Sequence, residues 1–251
     1  MERVMIHDIN LLKGWCIGDL FSSLVYYRYT NPKSIVVVTH KSLHALTLFL
    51  FGDFVIECSD VFTANTIGIH RNFTQIPSVA NSILNINYNR SLLSSIPEDE
   101  LLPNNSVLLI LNRSDNYVLP AHIINDIVSS CKSQNTFIRN VKDNEIYKSS
   151  YLKLEGVGEY TCSLMALIKS CMTRNIKIIM QRAGISEVFA YISNNPIFII
   201  YPESPDWITN FTFKHLYNND NMKPRCSITE YMLQNYEKND FIGKLNDFVN
   251  L

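Results

Sequence analysis

Three short stretches of this 251-residue chain, and one lone histidine, carry residue types able to hold an anion or move a proton. The richest is Gln181-Arg182-Ala183-Gly184-Ile185-Ser186-Glu187, which follows a buried-type apolar run and opens a second one. Gly184 lets the backbone come close to a ligand. Ser186, or the unsatisfied N–H groups of a starting helix, can hold an anion, and the helix dipole favours negative charge there. Arg182 adds a planar fork suited to phosphate. The plainer alternative is that Gly184 serves a tight turn, Ser186 caps the helix and Glu187 stabilises its first turn. A carboxylate facing a phosphate would repel it, so Glu187 is expected to point outward or to meet a sugar hydroxyl.

The second stretch is Lys13-Gly-Trp-Cys-Ile-Gly18-Asp19-Leu20, between a first strand and a first helix. In open parallel sheets such a turn sits at the carboxyl edge of the strands, where ligands bind. Asp19 is placed to take a proton from a hydroxyl as a general base, or simply to cap its helix. The third is Asn112-Arg113-Ser114-Asp115, directly after a strand, either a ligand contact from the far side of a cleft or a solvated turn. His40 ends a β-branched strand, and a lone histidine there is more often structural than catalytic.

The elements that must position these residues can be read from apolar periodicity. Strands are expected at Val4–Ile6, Ser34–Thr39, Phe54–Glu57, Val107–Leu111, Thr136–Val141, Tyr151–Leu154, Ile176–Met180 and Pro196–Tyr201. Helices are expected at Asp19–Tyr29, from Ser42 to Leu50, from Pro120 to about Lys132, at Thr161–Cys171, at Ile185–Ser193 and at Ile228–Val249. Strands alternating with helices predict an α/β protein with parallel sheets. The polar, proline-containing stretch Pro97-Glu-Asp-Glu to Pro103-Asn-Asn is the best candidate boundary. The expectation is therefore two Rossmann-like parallel-sheet domains, residues 1–100 and 106–251, facing a cleft, the second ending in a terminal helix.

Composition narrows the classes. Hydrophobic residues make up 47% and charged residues 18%, enough for a packed core. The net charge of −1, without a basic run, argues against nucleic acid as a partner. Six cysteines, at 16, 58, 131, 162, 171 and 226, show no Cys-x-x-Cys or metal-ligand spacing and read as reduced thiols of a reducing compartment. The first residues do not read as a signal peptide, and the apolar stretch from Leu43 to Ile56 is too short for a membrane span, so a cytoplasmic location is expected. Walker A, Gly-x-Gly-x-x-Gly, Gly-x-Ser-x-Gly and zinc patterns are absent, and no cofactor or metal is expected.

The order of these motifs resembles the GT-B glycosyltransferases, in particular the lipopolysaccharide heptosyltransferase group. In that family an early Gly-Asp opens the first helix, and its aspartate is proposed as the base; Gly18-Asp19 matches it. A strand followed by a polar loop with a basic residue starts the second domain, as in Val107-Leu-Leu-Ile-Leu-Asn-Arg113-Ser114. A glycine then precedes a Leu-rich helix over the donor site, similar to Gly156 through Ile168. Strand, Gly-containing turn, short helix, Pro and strand follow in order from Ile178 to Pro202. Where the family has Gly-Pro-x-His, this chain has Gly184-Ile-Ser186-Glu187, so the resemblance implies a sugar transferase of surface-glycan assembly rather than a heptose-specific one. It implies an inverting, metal-independent transfer from a nucleotide-sugar to a glycan or glycolipid acceptor, compatible with peripheral attachment at the inner membrane face. Asp19 would be the base, and Arg113, Arg182, Gly184, Ser186 and Glu187 the donor and phosphate contacts. The alternative is a catalytically silent glycosyltransferase-like subunit that binds a partner or a nucleotide.

Overall fold

A run of branched apolar residues without polar interruption can be accommodated only between two apolar layers. Ser106-Val-Leu-Leu-Ile110 is such a run, and all five residues are buried. In the computed structural model, which describes residues 2–5, 35–52, 55–59, 88–111, 118–141, 152–202 and 225–251, this run is the centre of a doubly wound sheet.

Two parallel sheets are present among the described residues. The smaller contains β1 (Glu2–Met5), β2 (Ile35–His40) and β3 (Val55–Ser59) in that order. Helix α1 (Lys41–Phe51) connects β2 to β3. The larger sheet has six parallel strands: β4 (Ser106–Ile110), β5 (Asn135–Val141), β6 (Gly158–Cys162), β7 (Ile176–Gln181), β8 (Ile197–Tyr201) and β9 (Ile228–Met232). Their spatial order is β6-β5-β4-β7-β8-β9. The chain thus builds outward from β4 to one side, then returns to lay β7 on the other side of β4. That reversal is the topological switch point of Rossmann-like sheets, and ligands in such folds bind beyond the carboxyl ends of the strands at the reversal.

Helices cover both faces. On one face, α4 (Leu164–Thr173) and α5 (Gly184–Ile192) bury Ala166, Leu167, Val188 and Phe189 against Leu108, Ile178 and Ile199. Leu46, Phe49 and Leu50 of α1 belong to this same apolar cluster, so the helix of the small sheet packs into the layer that covers the large one. On the other face, α3 (Ala121–Ser130) and α6 (Lys238–Asn250) bury Ile123, Ile127, Phe241, Leu245 and Phe248 against Leu109, Ile179 and Phe198. The ring of Phe198 meets Phe241 and Phe248 edge-on at centroid distances of 6.2 and 5.6 Å.

Local chemistry sets the helix ends. Ser163 caps α4 by accepting from the Ala166 N–H at 3.2 Å. The Glu237 carboxylate caps α6, accepting from the Asn239 and Asp240 N–H groups. Pro120, which has no N–H to leave unsatisfied, stands at the N-cap of α3.

Three expectations from the sequence are corrected. Leu152–Leu154 is not a strand; the Leu152 backbone is held by the Asn140 side chain, and the strand lies further on, at β6. Thr161 and Cys162 belong to β6, so the next helix starts only at Leu164. The stretch from Ile228 is strand β9 and a 3-10 turn before the terminal helix begins at Lys238. The polar stretch around residues 97–103 is also tied down rather than free. Lys169 donates to the Ile96 carbonyl at 2.7 Å, and the Leu102 N–H to Ser170 Oγ at 3.2 Å. With α2, the single turn Ser91–Ser94, this segment packs on α4 and so belongs with the large sheet.

Candidate functional site at the carboxyl edge

β4 and β7 run side by side, with Ile110 opposite Met180. The chain leaves β4 through Leu111 and leaves β7 through Arg182. Two of the three stretches singled out in the sequence, 112–115 and 181–187, therefore start from neighbouring strand ends at the switch point. Residues 112–115 themselves, with Arg113, lie outside the described residues, as do the Lys13–Leu20 stretch and Asp19. His40 is the last residue of β2 and pairs in register with Ser59.

The turn after β7 is built around Arg182. Its N–H donates to the Ile200 carbonyl at 2.8 Å, which keeps the backbone in the sheet one residue past β7. Ala183 is extended (φ −149°, ψ 167°) and α5 begins at Gly184. Gly184 starts that helix without a positive φ, so its backbone there is one that other residues can adopt. Ser186 Oγ donates to the Ala183 carbonyl, and no side chain caps the helix.

The Arg182 guanidinium does not project into solvent. It is 2% exposed. Nη1 donates to the Ala183 carbonyl at 2.7 Å and to Ser186 Oγ at 2.6 Å, while Nη2 meets Glu187 Oε1 at 2.5 Å. Glu187 accordingly points inward, to Arg182, and not outward as the sequence had led us to expect. The two charges balance each other. Positive potential for an anion at this turn therefore comes from the α5 backbone N–H groups and dipole, and Arg182 holds the turn in shape from beneath.

A residue that sequence reasoning passed over stands immediately before. Gln181 is fully buried, and among the described residues neither its Nε2 nor its Oε1 has a hydrogen-bond partner. The alternation of β7 places Ile178 and Met180 toward α4 and α5, and Ile179 and Gln181 toward α3 and α6. Its neighbour across the β8 ladder is Ile200, a core residue of that face, as is Leu111 at the end of β4. A buried primary amide with donor and acceptor both unmet costs about 1–3 kcal/mol per group. A signal was present in the sequence: an apolar strand, Ile176-Lys-Ile-Ile-Met180, closes on a neutral amide.

Burial pushes Cys131 and Cys226 up to about 12 and Cys171 higher still, so these three thiols stay protonated at neutral pH. No helix among the described residues is long and apolar enough to cross a membrane. Comparison of the chain with protein-family models, curated proteins and solved structures gives no match.

Proposed function

We propose that this chain is a glycosyltransferase that takes a nucleotide-sugar at the carboxyl edge of its six-stranded sheet and transfers the sugar, with inversion and without a metal, to a surface-glycan acceptor. The observation that carries the ligand site is the meeting of the Gln181–Glu187 turn with the end of β4 at the topological reversal, where a buried amide still lacks its partners. In this reading the diphosphate rests on the N-terminus of α5 beside Gly184 and Ser186, on first-turn backbone N–H groups other than that of Ser186, which donates to the Ala183 carbonyl. Gln181 supplies one donor and one acceptor to the nucleotide. Arg113, which follows β4 in sequence, adds the charge that the leaving phosphate requires, because that of Arg182 is taken by Glu187. The N-terminal sheet and its surroundings form the acceptor side of a cleft. The acceptor oxygen attacks the anomeric carbon, the bond from that carbon to the phosphate oxygen breaks, the nucleoside diphosphate departs, and Asp19 takes the acceptor proton.

A second reading has one specific observation in its favour. The internal Arg182–Glu187 pair leaves the turn without net charge from these two side chains, which suits a subunit that binds a nucleotide without driving its departure. Titration calorimetry with a panel of nucleoside diphosphates, followed by an assay of nucleotide-sugar turnover, separates the two. For the enzyme, Asp19→Asn lowers turnover about a hundredfold or more with nucleotide affinity unchanged. Binding without turnover selects the silent subunit, and no binding to any nucleotide overturns both.

A further inference from the structure

We propose that a second ligand site, specific for a phosphate monoester, lies at the opposite, amino-terminal edge of the six-stranded sheet. A cavity of about 350 Å³ opens there, where α4 and α5 end and β7, β8 and β9 begin. Three cations from three distant parts of the chain line it: Arg90, Lys169 and Arg225. Among the described residues no carboxylate does.

The ordinary role of a cation beside helix C-termini is to satisfy the last carbonyls and the negative dipole end. Here four carbonyls at the two helix ends are already taken by other groups. The Cys171 carbonyl accepts from Ser193 Oγ at 2.9 Å and from Asn195 Nδ2 at 2.7 Å, and the Arg174 carbonyl from Asn195 Nδ2 at 2.9 Å. The Tyr191 carbonyl accepts from the Tyr88 hydroxyl at 3.1 Å, and that of Ala190 from the backbone N–H of Arg225. The guanidinium groups of Arg90 and Arg225 donate to none of these four carbonyls. Arg90 is exposed and makes no side-chain hydrogen bond or ion pair among the described residues. Among the described residues Arg225 uses only Nε, which donates to Asn194 Oδ1 at 2.7 Å, so its two terminal nitrogens are oriented but unoccupied there. Lys169 is different: it is anchored to Ile96 and to Glu98, and fixes the wall rather than the ligand.

The occupant follows from this chemistry. Two free guanidinium forks match the oxygens of a tetrahedral dianion better than a single carboxylate. The Ser94 hydroxyl, which donates to the Ser91 carbonyl at 2.6 Å, lies at the rim, and Leu93 and Met172 give the lining an apolar surface for an organic body. The volume lies at the lower end of the range for small-molecule sites. A phosphate monoester carried on a small organic group fits that description. The site is independent of the nucleotide site at the other edge.

The test is titration calorimetry of the full chain with inorganic phosphate, phenyl phosphate, and phosphatidylcholine vesicles with and without phosphatidic acid. Expected is saturable binding of phenyl phosphate, weakening between pH 7.5 and 5.5 as the monoester takes up its second proton near pH 6. Arg90→Ala/Arg225→Ala weakens it about tenfold or more, and Ser94→Asp, which brings a carboxylate to the cavity, does the same by a different route. Lys132→Ala, an exposed cation outside the cavity, leaves it unchanged. A preference for phosphatidic acid vesicles over phenyl phosphate assigns the monoester to a lipid; the reverse assigns it to a soluble molecule. Absence of binding to both, or equal losses in Lys132→Ala, overturns the proposal. Gln181→Leu leaves this binding intact, so failure here and failure of the nucleotide site are separate results.

Discussion

The two edges of the six-stranded sheet use arginine in opposite ways. At the carboxyl edge, Arg182 is buried and its charge is met by Glu187 five residues on. At the amino edge, Arg90 and Arg225 stand at a cavity with hydrogen-bonding capacity to spare. In the sequence only the first looked like a ligand residue, because it sits beside a glycine and a serine in one short stretch. The lesson is that local sequence reports where a charge is, but its availability depends on neighbours the fold brings in. The amide of Gln181, a neutral group at the carboxyl edge, is left unmet among the described residues.

The contrast can be broken most forcefully at Arg182. Arg182→Ala strips Glu187 of its buried counter-charge and is expected to destabilise the fold by about 3–5 kcal/mol, read by chemical denaturation. A loss below about 1 kcal/mol would mean that the pair is solvated in solution and that Arg182 is free to hold a phosphate after all.

Gln181→Leu should act in the reverse direction. Exchanging an unmet buried amide for an aliphatic side chain of similar size is expected to stabilise the free protein by about 1–3 kcal/mol while abolishing nucleotide binding. Destabilisation together with unchanged binding would show that the amide is satisfied internally and has no ligand.

A smaller effect is expected where α6 meets α3. The Tyr236 hydroxyl donates to Asp126 Oδ2 at 2.6 Å, and this bond to a carboxylate pushes the phenol up to about 12. The folded protein therefore holds that proton more tightly than the unfolded chain, whose tyrosines titrate near 10. The contribution is complete below about pH 10 and is lost as the pH rises toward 12. Tyr236→Phe is expected to cost about 1 kcal/mol at neutral pH and to flatten the alkaline limb of the stability profile.

The smallest effect is expected at Glu98, which pairs with Lys169 at 3.0 Å and Arg174 at 2.5 Å on an exposed surface. Hydrogen bonding to Lys169 holds its carboxyl below the usual range, so its contribution is present above the ordinary carboxylate pKa and fades as the pH falls through the lowered value. Glu98→Gln should lower the melting temperature slightly at neutral pH, and the difference from wild type should vanish in acid and in high salt. A large drop would mean that the segment around residues 97–103 depends on this pair rather than on Leu102 and Ser170.

How much of this was legible varied with position in the sheet. β4, β7 and β8 lie between two helical layers, and their apolar runs announced them. The outermost strands β6 and β9 were misread. Gly158-Glu-Tyr-Thr-Cys162 buries only Tyr160 and Cys162, and Ile228-Thr-Glu-Tyr-Met232 buries only Tyr231. An edge strand has one neighbour and partial cover, so its pattern is weak and merges with the helix that follows. The candidate turn at 181–187 was located correctly as a strand-to-helix junction. The partners of its side chains were not, because Arg182 could be assigned to solvent, ligand or Glu187 with equal ease until the backbone fixed the distances.

The reversal at β4 also governs how the molecule comes into being. Ser106 pairs with Ile176, 70 positions later, whereas β4 pairs with β5 only 29 positions on, Ser106 opposite Asn135. Closing the longer loop costs more chain entropy, and contacts so far apart in sequence form slowly. The wing of β4, β5 and β6 can assemble on its own connections, while the β4–β7 seam must wait for the chain to return. The β4–β7 seam is therefore expected to be the last part of the central sheet to form. Slow exchange of the amide hydrogens of β4 and β7 would report its completion, and a ligand seated across the two strand ends would hold the closure shut.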